Sequence, residues 1–157
     1  MDTPNDPRSR TNYAASAAAK WDIWSSSTFR LPKMPGMDKL LSGRSILVVE
    51  DEMLVLLNIE DMLADHGCTS VSAAANANQA LSLIDAQDFD AAMVDLNLNG
   101  EKSYRVADAL AARGVPFVFS TGYSGDSLDE RYRDRPVLGK PYRDDELVET
   151  LTRLLRP

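Results

Sequence analysis

Three short, unbroken apolar runs constrain this chain most: Ile46-Leu47-Val48-Val49, Ala91-Ala92-Met93-Val94 and Phe117-Val118-Phe119. A strand with one wet face alternates apolar and polar residues. These do not, so both of their faces must be covered. Helical patterns lie between them. Leu56, Ile59 and Leu63 stand at i, i+3 and i+7 in a stretch from about Met53 to His66, which ends at Gly67 as a C-cap. A short strand over Thr69 to Ala73 follows. Asn76 reads as an N-cap with Gln79 three residues on, and Ala77, Ala80, Leu81 and Ile84 make the next stripe.

After the run ending at Asp95, Leu96 to Lys102 carries Gly100 and reads as a loop. Tyr104, Ala107, Leu110 and Ala111 suit a third helix, closed near Gly114. Val137-Leu138 is a short fifth strand. The last helix, Asp144 to Leu155, opens on acidic residues that complement its dipole. The order is (βα)₅, an α/β flavodoxin-like doubly wound sandwich with a five-stranded parallel sheet in the order 2-1-3-4-5. Gly125 to Arg135 offers only Leu128 and Tyr132 as apolar residues, so the fourth helix should be short or irregular.

The first 43 residues have a different composition, with Pro4, Pro7, Pro32 and Pro35, a Ser25-Ser26-Ser27 run and no sustained period. They read as a disordered extension, and 44–157 as one domain. Ala14 to Trp24 could form a short helix bearing Trp21 and Trp24, although isolated short helices are marginal. About two residues remain beyond the last helix, so no attached output domain is expected.

A formal net charge of −7 across 157 residues argues against binding nucleic acid, which needs clustered Lys and Arg. No stretch is long and apolar enough to enter a bilayer. The lone cysteine, Cys68, cannot form an internal disulfide, which suits a cytoplasmic chain, and reads as a small buried side chain. His66, the sole histidine, reads as a solvated residue near a helix end.

The unusual polar residues collect at strand ends. Glu50 and Asp51 end the first strand, Asp95 the third and Thr121 the fourth, and Lys140 follows the fifth. In an open parallel sheet the ligand site lies outside these carboxyl ends. Converging carboxylates repel unless protonated or bridged by a cation, and a hard divalent ion held by carboxylates, a carbonyl and water fits Mg²⁺. A hydroxyl and an ammonium opposite the metal suit a phosphoryl group, with a central carboxylate as nucleophile. Glu50-Asp51-Glu52 alone could be a helix N-terminal acidic cluster, and Thr121-Gly122 alone a turn. Their joint spacing carries the weight.

Val48-Val49-Glu50-Asp51-Glu52, Val94-Asp95-Leu96-Asn97, Ser120-Thr121-Gly122 and Lys140-Pro141, in that order, resemble the receiver domain of bacterial response regulators, the CheY-like superfamily. The resemblance implies that Asp95 is the phosphoacceptor and that Glu50, Asp51, Asp95 and the backbone carbonyl of Asn97 place Mg²⁺. It implies that Thr121 and Lys140 bind the phosphoryl group and that the bond before Pro141 is cis. The implied donor is a sensor histidine kinase or histidine phosphotransferase, with output by protein contact. The module would be no enzyme beyond catalysing its own phosphorylation and dephosphorylation.

Two departures stand out. Val137 occupies the position three before Lys140 where many receivers carry a switch aromatic. Phe119-Ser120-Thr121-Gly122-Tyr123 instead resembles a subgroup of mostly single-domain receivers with a Phe-Ala-Thr-Gly motif. Tyr123 is then the candidate mobile aromatic, and Gly122 keeps the path to Asp95 open. A haloacid dehalogenase-type phosphatase needs a second Asp two residues after the nucleophile, where this chain has Asn97. A pseudo-receiver that binds partners without phosphorylation usually lacks the Asp, Thr or Lys, and all three are present here.

Overall fold

The computed structural model describes residues 40–122 and 128–157. Nearly all of the N-terminal extension, including both tryptophans, lies outside them, as does Tyr123. Five parallel strands form one sheet: β1 (Ser45–Val49), β2 (Ser70–Ala74), β3 (Ala91–Asp95), β6 (Phe117–Thr121) and β7 (Val137–Gly139), in the order β2-β1-β3-β6-β7. The helices are α1 (Met53–Asp65), α2 (Ala77–Ala86), α3 (Tyr104–Ala112) and α4 (Asp144–Leu154). The five-stranded parallel order read from the sequence is the one found.

The unbroken apolar runs are explained by two cores, one on each face. Leu47, Val49, Ala92, Val94, Phe117 and Phe119 point to α2 and α3. Ile46, Val48, Met93 and Val118 point to the other face, where Leu56, Ile59 and Leu63 of α1 and Leu147 and Leu151 of α4 cover them. Alternate residues of one strand thus feed opposite cores. Each fully buried Phe or Leu contributes roughly 1.5–3 kcal/mol relative to exposure.

Helix ends fall where the side chains dictate. Asn76 Oδ1 accepts the Gln79 N–H at 2.9 Å and starts α2. Glu146 accepts the Arg143 N–H at 3.0 Å and closes the first turn of α4. Gly67, just past α1, has φ +83°, a left-handed conformation that glycine enters without steric cost.

Two features, the hairpin after Asp95 and the burial of His66, differ from the sequence reading, whereas the helix expected between β6 and β7 is short or irregular, as the sequence implied. The segment after Asp95 contains a two-stranded antiparallel hairpin, β4 (Asn97–Leu98) with β5 (Glu101–Lys102), rather than a plain loop. Its turn is Asn99-Gly100, with φ +53° and +88°, the pair of positive angles a tight two-residue hairpin demands. Among the described residues, the β6 to β7 connection holds one 3₁₀ turn, Glu130–Tyr132, and no α-helix. His66 is buried rather than solvated, at 6% exposure. The Leu41 N–H bonds its carbonyl at 3.1 Å over the end of α1, and its Nε2 lies 2.9 Å from Asp144 Oδ2 at the start of α4.

Candidate functional site

Register brings the polar residues together. In the β3–β6 ladder Asp95 pairs with Ser120, and in the β6–β7 ladder Thr121 pairs with Gly139, so Asp95, Thr121 and Lys140 emerge at the same sheet edge. Three backbone bonds fix the edge. The Glu50 N–H reaches the Ala74 carbonyl at 2.9 Å, Leu96 N–H the Ser120 carbonyl at 2.8 Å, and Lys140 N–H the Thr121 carbonyl at 2.8 Å. The Lys140–Pro141 bond is cis, as the resemblance implied.

Lys140 Nζ donates to Glu50 Oε2 at 2.7 Å and to Asp95 Oδ2 at 3.0 Å. Glu50 is 1% exposed and Asp95 5%. Burial pushes the Glu50 carboxyl up to about 7, against the pull of the Lys140 bond and the Glu52 N–H at 3.1 Å. Burial also opposes the Lys140 charge, yet its bonds to Glu50 and Asp95 outweigh that and raise its pKa. A charge pair this dry is stable only with both partners present.

The remaining polar atoms are held by the hairpin and its approach. Asn97 N–H donates to Asp95 Oδ1 at 3.0 Å. Asn99 N–H donates to Asp51 Oδ2 at 3.2 Å, and Gly100 N–H to Asn97 Oδ1 at 2.9 Å. The hairpin therefore orients two carboxylates at once. Glu50, Asp51 and Asp95 each present an oxygen within 4.8 Å of the others, a hard-oxygen donor set that fits a Mg²⁺-sized ion. An open cleft of about 410 Å³ is lined by Asp51, Asp95, Asn97, Thr121, Gly122 and Lys140.

Of the residues singled out from the sequence, Glu50, Asp51, Asp95, Asn97, Thr121, Gly122 and Lys140 meet here, with Pro141 in a neighbouring groove. A Cβ built on Gly122 would meet no atom within 4 Å, so the cleft has room for a methyl there. Asn99 is the residue the sequence reading missed. Its signal was the Asn-Gly pair between two short polar-apolar segments, a hairpin mark that needs no long strands.

The layout is that of a doubly wound α/β module with an acidic, lysine-bridged cleft at its strand ends. The chain belongs to the response regulator receiver domain family, whose model matches residues 46–152. It resembles the solution structure of SdrG from Sphingomonas melonis Fr1, with 46% identity and a TM-score of 0.61 over 72% of this chain and 97% of that one. The BeF3-activated conformation of SdrG, from Pseudomonas melonis Fr1, matches at 42% identity and 0.59 over 78% and 100%. The receiver domain of the sensor histidine kinase PA1611 from Pseudomonas aeruginosa PAO1, with magnesium coordinated in its active-site cleft, matches at 28% and 0.63 over 73% and 98%. PdtaR of Mycobacterium tuberculosis is 26% identical over 112 residues, 69% of this chain and 55% of that protein. The chain thus spans about half the length of the curated relatives it matches. As a receiver it is a signalling module of two-component type.

Proposed function

We propose that this receiver takes a phosphoryl group onto Asp95 from a sensor histidine kinase or histidine phosphotransferase and passes the signal on by protein contact. The observation that carries the reading is the pair of bonds from Lys140 Nζ to Glu50 and Asp95, beside three carboxylates within 4.8 Å. Glu50, Asp51, Asp95 and the Asn97 carbonyl would hold Mg²⁺, which supplies charge neutralisation when bound.

An Asp95 carboxylate oxygen forms the new bond to phosphorus as the donor's N–P bond breaks. The imidazole nitrogen keeps that electron pair and takes up a proton. Asp95 needs no separate base, because a carboxylate is already ionised. Lys140 bonds the phosphoryl oxygens in place of its carboxylate contacts, and the Thr121 hydroxyl donates to another. Positioning and charge balance do most of the catalysis. The module works in the cytoplasm, with 44–157 as the receiver and 1–43 as an extension. It acts as a regulator of the Phe-Ala-Thr-Gly subgroup. In that subgroup Tyr123, outside the described residues, serves as the mobile aromatic.

Intact mass after incubation with Mg²⁺ and a small acyl-phosphate donor tests this, beside Asp95→Ala. One added phosphoryl group on the wild type alone is expected. No adduct at short times, together with failure to bind beryllofluoride, would replace this reading with a phosphorylation-independent interaction module.

A further inference from the structure

Val137 is 42% exposed and carries no ring, so it offers no aromatic to turn inward behind Thr121. The aromatic side chains gather on the opposite flank of β6. Tyr104, the first residue of α3, stacks on Tyr132 with centroids 5.9 Å apart and planes at 11°. It meets Phe119 edge-on at 6.2 Å and 83°. Phe119 precedes Thr121 by two residues. The Tyr104 hydroxyl accepts the Asp129 N–H at 2.9 Å. Ser103, immediately before Tyr104, donates its N–H to the Leu96 carbonyl at 3.0 Å, and Leu96 follows Asp95.

Tyr104 is therefore one backbone step from the acceptor's segment and one ring contact from the strand that ends in Thr121. Two more bonds lash the same connection to α3. The Tyr132 hydroxyl donates to Asp108 Oδ1, and an Arg131 guanidinium nitrogen does so at 3.2 Å.

We propose that Tyr104 is a positioning residue for the phosphoacceptor reaction. Its ring and hydroxyl hold the returning arm of the β6 to β7 connection against α3, and that hold sets how easily Thr121 moves onto a phosphoryl group. The inference rests on Asp95 being the acceptor. A ligand-driven shift costs whatever resting contacts it must break. Removing the Tyr104 hydroxyl lowers that cost and leaves Asp95, Thr121 and Lys140 intact.

The test uses the full chain with Mg²⁺ and an acyl-phosphate donor, comparing wild type, Tyr104→Phe, Asp129→Pro and the double variant. Asp129 has φ −52°, which proline accepts, so that change deletes the N–H at the other end of the same bond. It also removes the carboxylate that accepts the Arg131 N–H at 3.0 Å, so its rate is read against Asp129→Ala, which loses that carboxylate and keeps the N–H. Each single variant should phosphorylate about two- to tenfold faster, the range one net hydrogen bond allows. The double variant should be no faster than either single one, as expected for one shared contact. With beryllofluoride, the Thr121 amide resonance should reach its bound position at lower concentration in Tyr104→Phe.

Unchanged rates, additive effects, or an effect matched by the core control Leu110→Ala at equal loss of melting temperature would overturn the positioning role. An adduct absent from the wild type itself would instead overturn the phosphoacceptor reading, and this inference with it.

Discussion

Lys140 answers two carboxylates with one charge. Glu50 stays near neutrality in its titration because burial works against its anion, and Lys140 is the partner that offsets this. A metal entering among Glu50, Asp51 and Asp95 must share those oxygens with the ammonium. Lys140→Met should therefore tighten Mg²⁺ binding, by about three- to tenfold at low salt, as a nearby like charge is removed. The same change should slow phosphorylation by acyl phosphate by at least about 100-fold, since a charge-stabilising group is lost. Calorimetric titration and adduct formation read the two effects separately. Weaker Mg²⁺ binding in the variant would mean that Lys140 organises the acidic cluster rather than competing with the ion.

At the scale of elements, the five strands and four helices were legible because each has a burial pattern of its own. Ile46 to Val49 could be placed as a two-faced strand from four residues. Strand ends gave the cleft, since Glu50 and Asp95 each follow an apolar run by one step and Thr121 follows one by two. The short elements escaped. The Asn97–Lys102 hairpin has two residues per strand and no period to detect. The burial of His66 depends on Leu41 and Asp144, distant in sequence and joined only by the fold.

The 3₁₀ turn carries its anchor on Tyr132. Burial, helped by the Asp108 carboxylate, pushes its hydroxyl up to about 12 from an ordinary value near 10. A pKa raised on folding means the native state holds the proton more tightly. The stabilisation is complete below pH 10 and is lost as pH rises through 12. Urea unfolding should thus show an alkaline loss that is smaller in Tyr132→Phe, by on the order of 1 kcal/mol between pH 9 and 11. Equal losses in both proteins would show that the hydroxyl ionises freely and that the turn is held by packing alone.

Across the whole molecule, two cores clamp one sheet and leave its C-terminal edge as the place where polar groups collect. Folding brings Glu50, Asp51 and Asp95 together, and the unfolded chain, with Asp95 more than forty residues from the other two, has no such site. An ion that binds only the native arrangement stabilises it by RT ln(1 + [L]/Kd), about 2.7 kcal/mol at a hundredfold excess over Kd. For a receiver of this size that corresponds to a rise in melting temperature of about 5–10 °C. Thermal melts in excess Mg²⁺ should exceed those in chelator by that amount. Asp51→Asn should lose most of the shift while melting normally in chelator, because Asp51 is only half-buried and its lost charge relieves repulsion. An equal shift in Asp51→Asn would place the ion elsewhere, and with it the reason these three carboxylates share one edge.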